Sequence, residues 1–153
     1  MPNDIMQKAI RLVDALNRFH GYDDDVKKEF GLAAKSLLRA WQAKHKLEGT
    51  IHWNKGGMAV SGEVCFKNEY MEIWIQEPFG GGEPIMFRGL FMNGGRQDSG
   101  SNNFASPTKF ASMPLEQIES MCGRRFGQHH PIVVTDKDTY QWNMCAGAEP
   151  VTY

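Results

Sequence analysis

The spacing of apolar residues changes period near Gly49, and that change limits the chain to a helix-on-sheet arrangement. Before it, Ile5, Ala9, Leu12, Val13, Leu16 and Phe19 recur at helical intervals. Val26, Phe30, Ala33, Ala34, Leu37, Leu38 and Trp41 then repeat the pattern. After it, Met58, Val60, Val64 and Phe66 alternate with Ser61, Glu63, Cys65 and Lys67, as a strand covered on one side requires. With 153 residues, 41% of them hydrophobic, the chain can close one core and is short for two. The fold expected is a single α+β domain over residues 1–153: an N-terminal helical hairpin and a third helix packed on a mainly antiparallel sheet of five or six strands.

Punctuation residues set the expected boundaries. The hairpin spans residues 4–47, with Asn3 or Asp4 capping its first helix and Gly21 stopping it. Asp23, Asp24 and Asp25 suit the positive head of the second helix, and Lys44, His45 and Lys46 suit its negative tail. The sheet region, residues 50–92, divides into strands at 50–54, 58–67, 70–76 and 85–92. Lys55-Gly56-Gly57, Asn68-Glu69 and Gly80-Gly81-Gly82 separate them. In the third strand Met71, Ile73 and Ile75 face one way. Tyr70, Glu72 and Trp74 face the other, so the far side of the sheet is partly aromatic. Residues 93–112, rich in Gly, Ser and Asn, show neither period and read as a long loop, a length compact domains reserve mainly for binding. Pro114 opens a third helix over 114–126, and a C-terminal hairpin is expected over 131–145.

Charge and cysteine usage narrow the function classes. Lys and Arg total 17 against 18 for Asp and Glu, so no global field draws nucleic acid or an anionic membrane. The 3 cysteines, Cys65, Cys122 and Cys145, are an odd number set among apolar neighbours, which fits buried thiols in a reducing compartment. A cytoplasmic protein is therefore expected. Lys8, Arg11, Asp14 and Arg18 interrupt the first stripe, so it is no signal-peptide core, and no run reaches the roughly 20 apolar residues of a membrane span.

Each catalytic constellation has a plainer structural reading. Asn93-Gly94-Gly95-Arg96 with Asp98, Ser99, Gly100 and Ser101 resembles a phosphate cradle in composition, but it lacks the helix mouth at which a P-loop sets its Lys and Ser/Thr. His129-His130 with His45, His52 or Cys122 lacks ligand spacing, so no metal is expected. Cys122 with His129 or His130 and Asp136 forms the one local nucleophile set, yet Cys122 falls on a buried stripe, where thiolate is suppressed. Glu63 and Glu72 would pair as acid and base only if the register brought them opposite. Lys28, Lys35, Arg39 and Lys46, or Arg124-Arg125, offer a basic surface for nucleic acid, which the interspersed acids disfavour.

What remains is partner binding. The expected function is a non-catalytic accessory protein, an adapter, subunit or inhibitor, that binds another macromolecule through residues 93–112 and the neighbouring sheet edge. Arg96, Phe104, Phe110, Tyr70 and Trp74 are the candidate interface residues, since Trp, Tyr and Arg dominate interface energetics. No cofactor is implied, and a protein partner is preferred to nucleic acid. An edge strand also permits a dimer of the chain with its own copy. The alternatives are an enzyme or small-ligand binder with a site beneath the same segment, using Arg96, Asp98 and Ser99 with Glu63 or Glu72, and a nucleic-acid-binding module. Phe104 and Phe110 pose the sharpest question, because each must either pin its segment to the body or present an anchor.

Overall fold

A computed structural model describes residues 4–18, 24–54, 62–78, 82–93 and 95–124. Two helices, α1 (Asp4–Asn17) and α2 (Asp24–His45), lead into strands β1 (Thr50–Asn54), β2 (Glu63–Lys67), β3 (Met71–Ile75) and β4 (Ile85–Asn93). Short strands β5 (Arg96–Ser99) and β6 (Asn103–Ala105) follow, then helices α3 (Pro107–Ser112) and α4 (Leu115–Cys122). The mixed α+β class expected from the change of period is the one observed. No helix among the described residues is long and apolar enough to cross a membrane.

Both N-terminal helices bury the stripes that define them. Ile5, Ala9, Leu12 and Ala15 of α1 meet Phe30, Ala33, Ala34, Leu37, Leu38 and Trp41 of α2 in one core cluster. Full burial of each large side chain contributes about 1.5–3 kcal/mol, which outweighs the weak intrinsic stability of isolated helices. Asp24 and Asp25 occupy the first turn of α2 and Lys44 and His45 its last, in keeping with the dipole. Gly31 gives α2 its close approach to the sheet. A Cβ there would sit 2.0 Å from the Trp53 indole, so only glycine lets that ring lie on the helix backbone.

All strand pairs are antiparallel, in the order β1-β2-β3-β4-β5, with β6 also on β4, giving a six-stranded sheet. Asn68 makes the β2–β3 turn. Its Oδ1 accepts from the N–H groups of Tyr70 and Met71 at 2.8 and 3.0 Å, while its Nδ2 donates to the Glu48 carbonyl at 2.9 Å. The covered face follows from register: Ile51, Phe66, Ile73 and Phe87 lie directly opposite one another across β1 to β4. Of these, Phe66, Ile73 and Phe87 are fully buried in the cluster the helices fill.

Residues 93–112, expected as a long loop, instead carry β5, β6 and α3. Asn93 pairs with Arg96, and Gly95 before it takes the left-handed position at φ 86°. β3 takes one edge of β4, where Leu90 N–H donates to the Tyr70 carbonyl. β5 and β6 therefore share the other edge, joined by the Gly100 N–H bond to the Gly89 carbonyl at 2.9 Å. Leu90 opposes Ser99 and Phe87 opposes Asn103, so Ser101 and Asn102 together face Arg88. One extra residue in this strand makes a β-bulge. Ser106 then caps α3, its Oγ accepting from Lys109 N–H at 3.2 Å ahead of Pro107 in the first turn.

The third expected helix is α4. Pro114 stands at its N-cap, and Gly123, at φ 69°, takes the left-handed position that ends it. Met58, Val60, Gly21 and the hairpin expected over 131–145 lie outside the described residues.

Candidate functional site

Alternate residues of the strands form a second row on the face away from the core. His52 opposes Cys65, Cys65 opposes Trp74, Trp74 opposes Met86 and Met86 opposes Phe104, running from β1 to β6. None of the five belongs to the core cluster. His52 is exposed, Cys65, Trp74 and Met86 are half-buried, and Phe104 at the rim is 56% exposed. A fully solvated sheet face alternates to charged and small polar groups; this one carries a thiol, an indole, a thioether and a phenyl ring. Trp74 Nε1 is buried without an acceptor among the described residues.

A polar row runs beside it. Lys67 opposes Glu72 and Glu72 opposes Arg88, with Nε and Nη2 of the guanidinium both donating to Glu72 Oε1. Glu72 is 6% exposed, and its carboxylate is committed to that pair. Glu63 opposes Asn54 of β1, so the register does not set Glu63 against Glu72, and no acid–base couple forms. Both carboxylates instead flank Cys65. Burial first, then Glu63 and Glu72, push its thiol up to about 12, which keeps it protonated and unreactive.

The candidate interface residues separate. Phe110 is fully buried, stacked on Trp41 at 5.3 Å between ring centroids and tilted against Phe87 at 5.5 Å. It pins α3 to the body and offers no surface. Tyr70 packs partly against the core and carries the Arg124 guanidinium 5.1 Å above its ring. Arg96 lies exposed on β5, its Nε donating to Asp98 Oδ1 at 3.0 Å. Trp74 and Phe104 alone share the open row. Met86 and Cys65, which join them, are not among the interface residues the sequence suggests. Their signal was the strand alternation extended across five strands, which needs the register.

The remaining constellations are dispersed. Arg124 is 4% exposed and also sits 5.2 Å from the Phe91 ring, so it presents no phosphate-binding surface. Burial, with Glu119 adding to it, raises the Cys122 thiol far above its ordinary range, while His129, His130 and Asp136 lie outside the described residues. Among the described residues no group of three or more His, Cys, Asp or Glu side chains is placed to hold a metal ion. His45, half-buried and edge-on to Trp41 at 5.1 Å, is pushed down to about 4 by desolvation and by Lys44, against a smaller opposing effect of Glu116. Compared with protein-family models, curated proteins and solved structures, the chain matches none.

Proposed function

We propose that this chain is a non-catalytic binding protein that takes a protein partner on the open face and free edge of its sheet. The observation that carries the reading is the row from His52 to Phe104, which ends in an exposed aromatic ring on the rim. Half-buried Trp74 and Met86 provide a firm floor, and Phe104 supplies the apolar area that anchors an interface. Among the described residues β5 and β6 pair with β4 alone, so their outer N–H and C=O groups stand ready to receive an extended segment of the partner. Chemistry at this face is disfavoured by a protonated thiol and by a Glu72 carboxylate already paired with Arg88. Nucleic acid is disfavoured as well. Lys67 and Arg88 share the face with Glu63 and Glu72, leaving no positive field to track phosphates.

The test places a photoreactive phenylalanine analogue at position 104 and, for comparison, at Ile10, which is 48% exposed on α1. In extract from the native source, position 104 should give a discrete protein adduct and position 10 none. Equal labelling from both positions, or none from 104, would defeat the reading.

A further inference from the structure

The helical layer holds a second site, on residues the proposed interface does not use. A cleft of about 410 Å3 opens between α1 and α2 and is lined by helix residues alone. Asp4 and Lys8, one turn apart on α1, face Lys35, Ser36 and Arg39 of α2. Small residues at Ser36 and Ala40 leave the room, and its size falls within the range of small-molecule pockets.

Its charge is unbalanced. Lys8 Nζ donates to the Ser36 hydroxyl at 2.7 Å, a neutral partner. The Lys35 ammonium lies 5.9 Å from the centroid of the Trp53 ring, again without a carboxylate. Arg39 is exposed, and no ion pair among the described residues includes it. Three cationic residues therefore line the cleft against the single carboxylate of Asp4, an excess of two positive charges. Because Ser36 Oγ accepts from Lys8, its own O–H remains available to donate.

The geometry points to this cleft as a binding site for a small organic phosphate monoester. A phosphate monoester carries about two negative charges above its second pKa of about 6, matching that excess. Arg39 supplies a planar fork for two phosphate oxygens, Lys8 and Lys35 supply point charges, and the Ser36 hydroxyl a neutral donor. Leu32, 45% exposed, and Ala40 form an apolar wall for the organic body. Asp4 is placed to accept from a hydroxyl group on that body.

Phenyl phosphate is the probe, titrated by calorimetry into the full chain at pH 7.5 and constant ionic strength. Saturable binding with a Kd in the ~0.1–1 mM range is expected. Arg39→Gln should weaken it about tenfold without changing Tm, since Arg39 holds no other group. Lys28→Gln, exposed on α2 outside the cleft, should leave binding unchanged. No saturation up to ~10 mM, or equal weakening by the two variants, would overturn the site, the latter by showing general charge attraction. A phosphotyrosine peptide binding more tightly than phenyl phosphate would overturn the small-molecule assignment in favour of a modified protein.

Discussion

Neighbouring residues of the same strands build two unlike faces. Toward the helices, Ile51, Phe66, Ile73 and Phe87 form an aliphatic and phenyl row packed into the core cluster to which all four helices contribute. Away from them, His52, Cys65, Trp74, Met86 and Phe104 form a row that is neither core nor an ordinary wet surface. The first row is fixed by its need to exclude water. Among the described residues no helix packs on the second, and its aromatic and thioether content is the ground for the proposed interface.

The largest effect expected belongs to the covered side. Phe110→Ser removes a ring stacked on Trp41 and should cost about 3–5 kcal/mol in urea unfolding. A loss below about 1 kcal/mol would mean α3 is not part of the core. Next is the buried carboxylate on the open side. Glu72→Ala strands the Arg88 guanidinium and should cost about 1–3 kcal/mol, while Glu72→Gln, which keeps an acceptor, should cost less. Equal losses would show that packing, and not the pair, is what Glu72 provides.

Acid should then distinguish the layers. The His45 imidazole has a lower pKa folded than unfolded, so the unfolded chain binds the proton more readily. Its contribution is full above about pH 6.5 and is lost as pH falls toward about 4. Water reaching part of the ring holds that loss to about 1–2 kcal/mol. His45→Phe, which keeps the contact with Trp41, should flatten Tm against pH across this window; an unchanged slope would place the sensitivity elsewhere. The smallest effect is the most informative for function. Phe104→Ser should alter stability by less than about 0.5 kcal/mol, as expected of an exposed residue, while abolishing partner capture at that rim. A loss of several degrees in Tm would make Phe104 a structural residue and close the gap between the two faces.

How much of this could be read from the chain depends on the range of the interaction. Helical stripes and strand alternation are local, so α1, α2, α4, the strands β1 to β4 and the α+β class follow from spacing and punctuation. Residues 93–112 misled because β5 and β6 are too short to show a period. Their signals were punctuation: Gly94-Gly95 for a hairpin, and Ser106 before Pro107 for a helix cap. Phe104 and Phe110 look alike in sequence, each isolated among polar residues. Their opposite fates are set by contacts with Met86 and Trp41, remote in the chain. The open row joins five strands, and the cleft adds Asp4 and Lys8 of α1 to the basic residues Lys35 and Arg39 of α2, so neither grouping follows from spacing within one element.

The doubled residues opposite Arg88 decide more than a local kink. Were both forced into regular pairing with no bulge, β6 would slide by a single step along β4, placing Asn103 beside Met86 and turning the Phe104 ring inward beside Ile85. A one-residue deletion there removes the kink and leaves Phe104 opposite Met86, whereas losing the kink with both residues kept rotates the rim of the sheet by half a turn. The exposed ring keeps its side of the sheet because the kink takes up one surplus peptide unit.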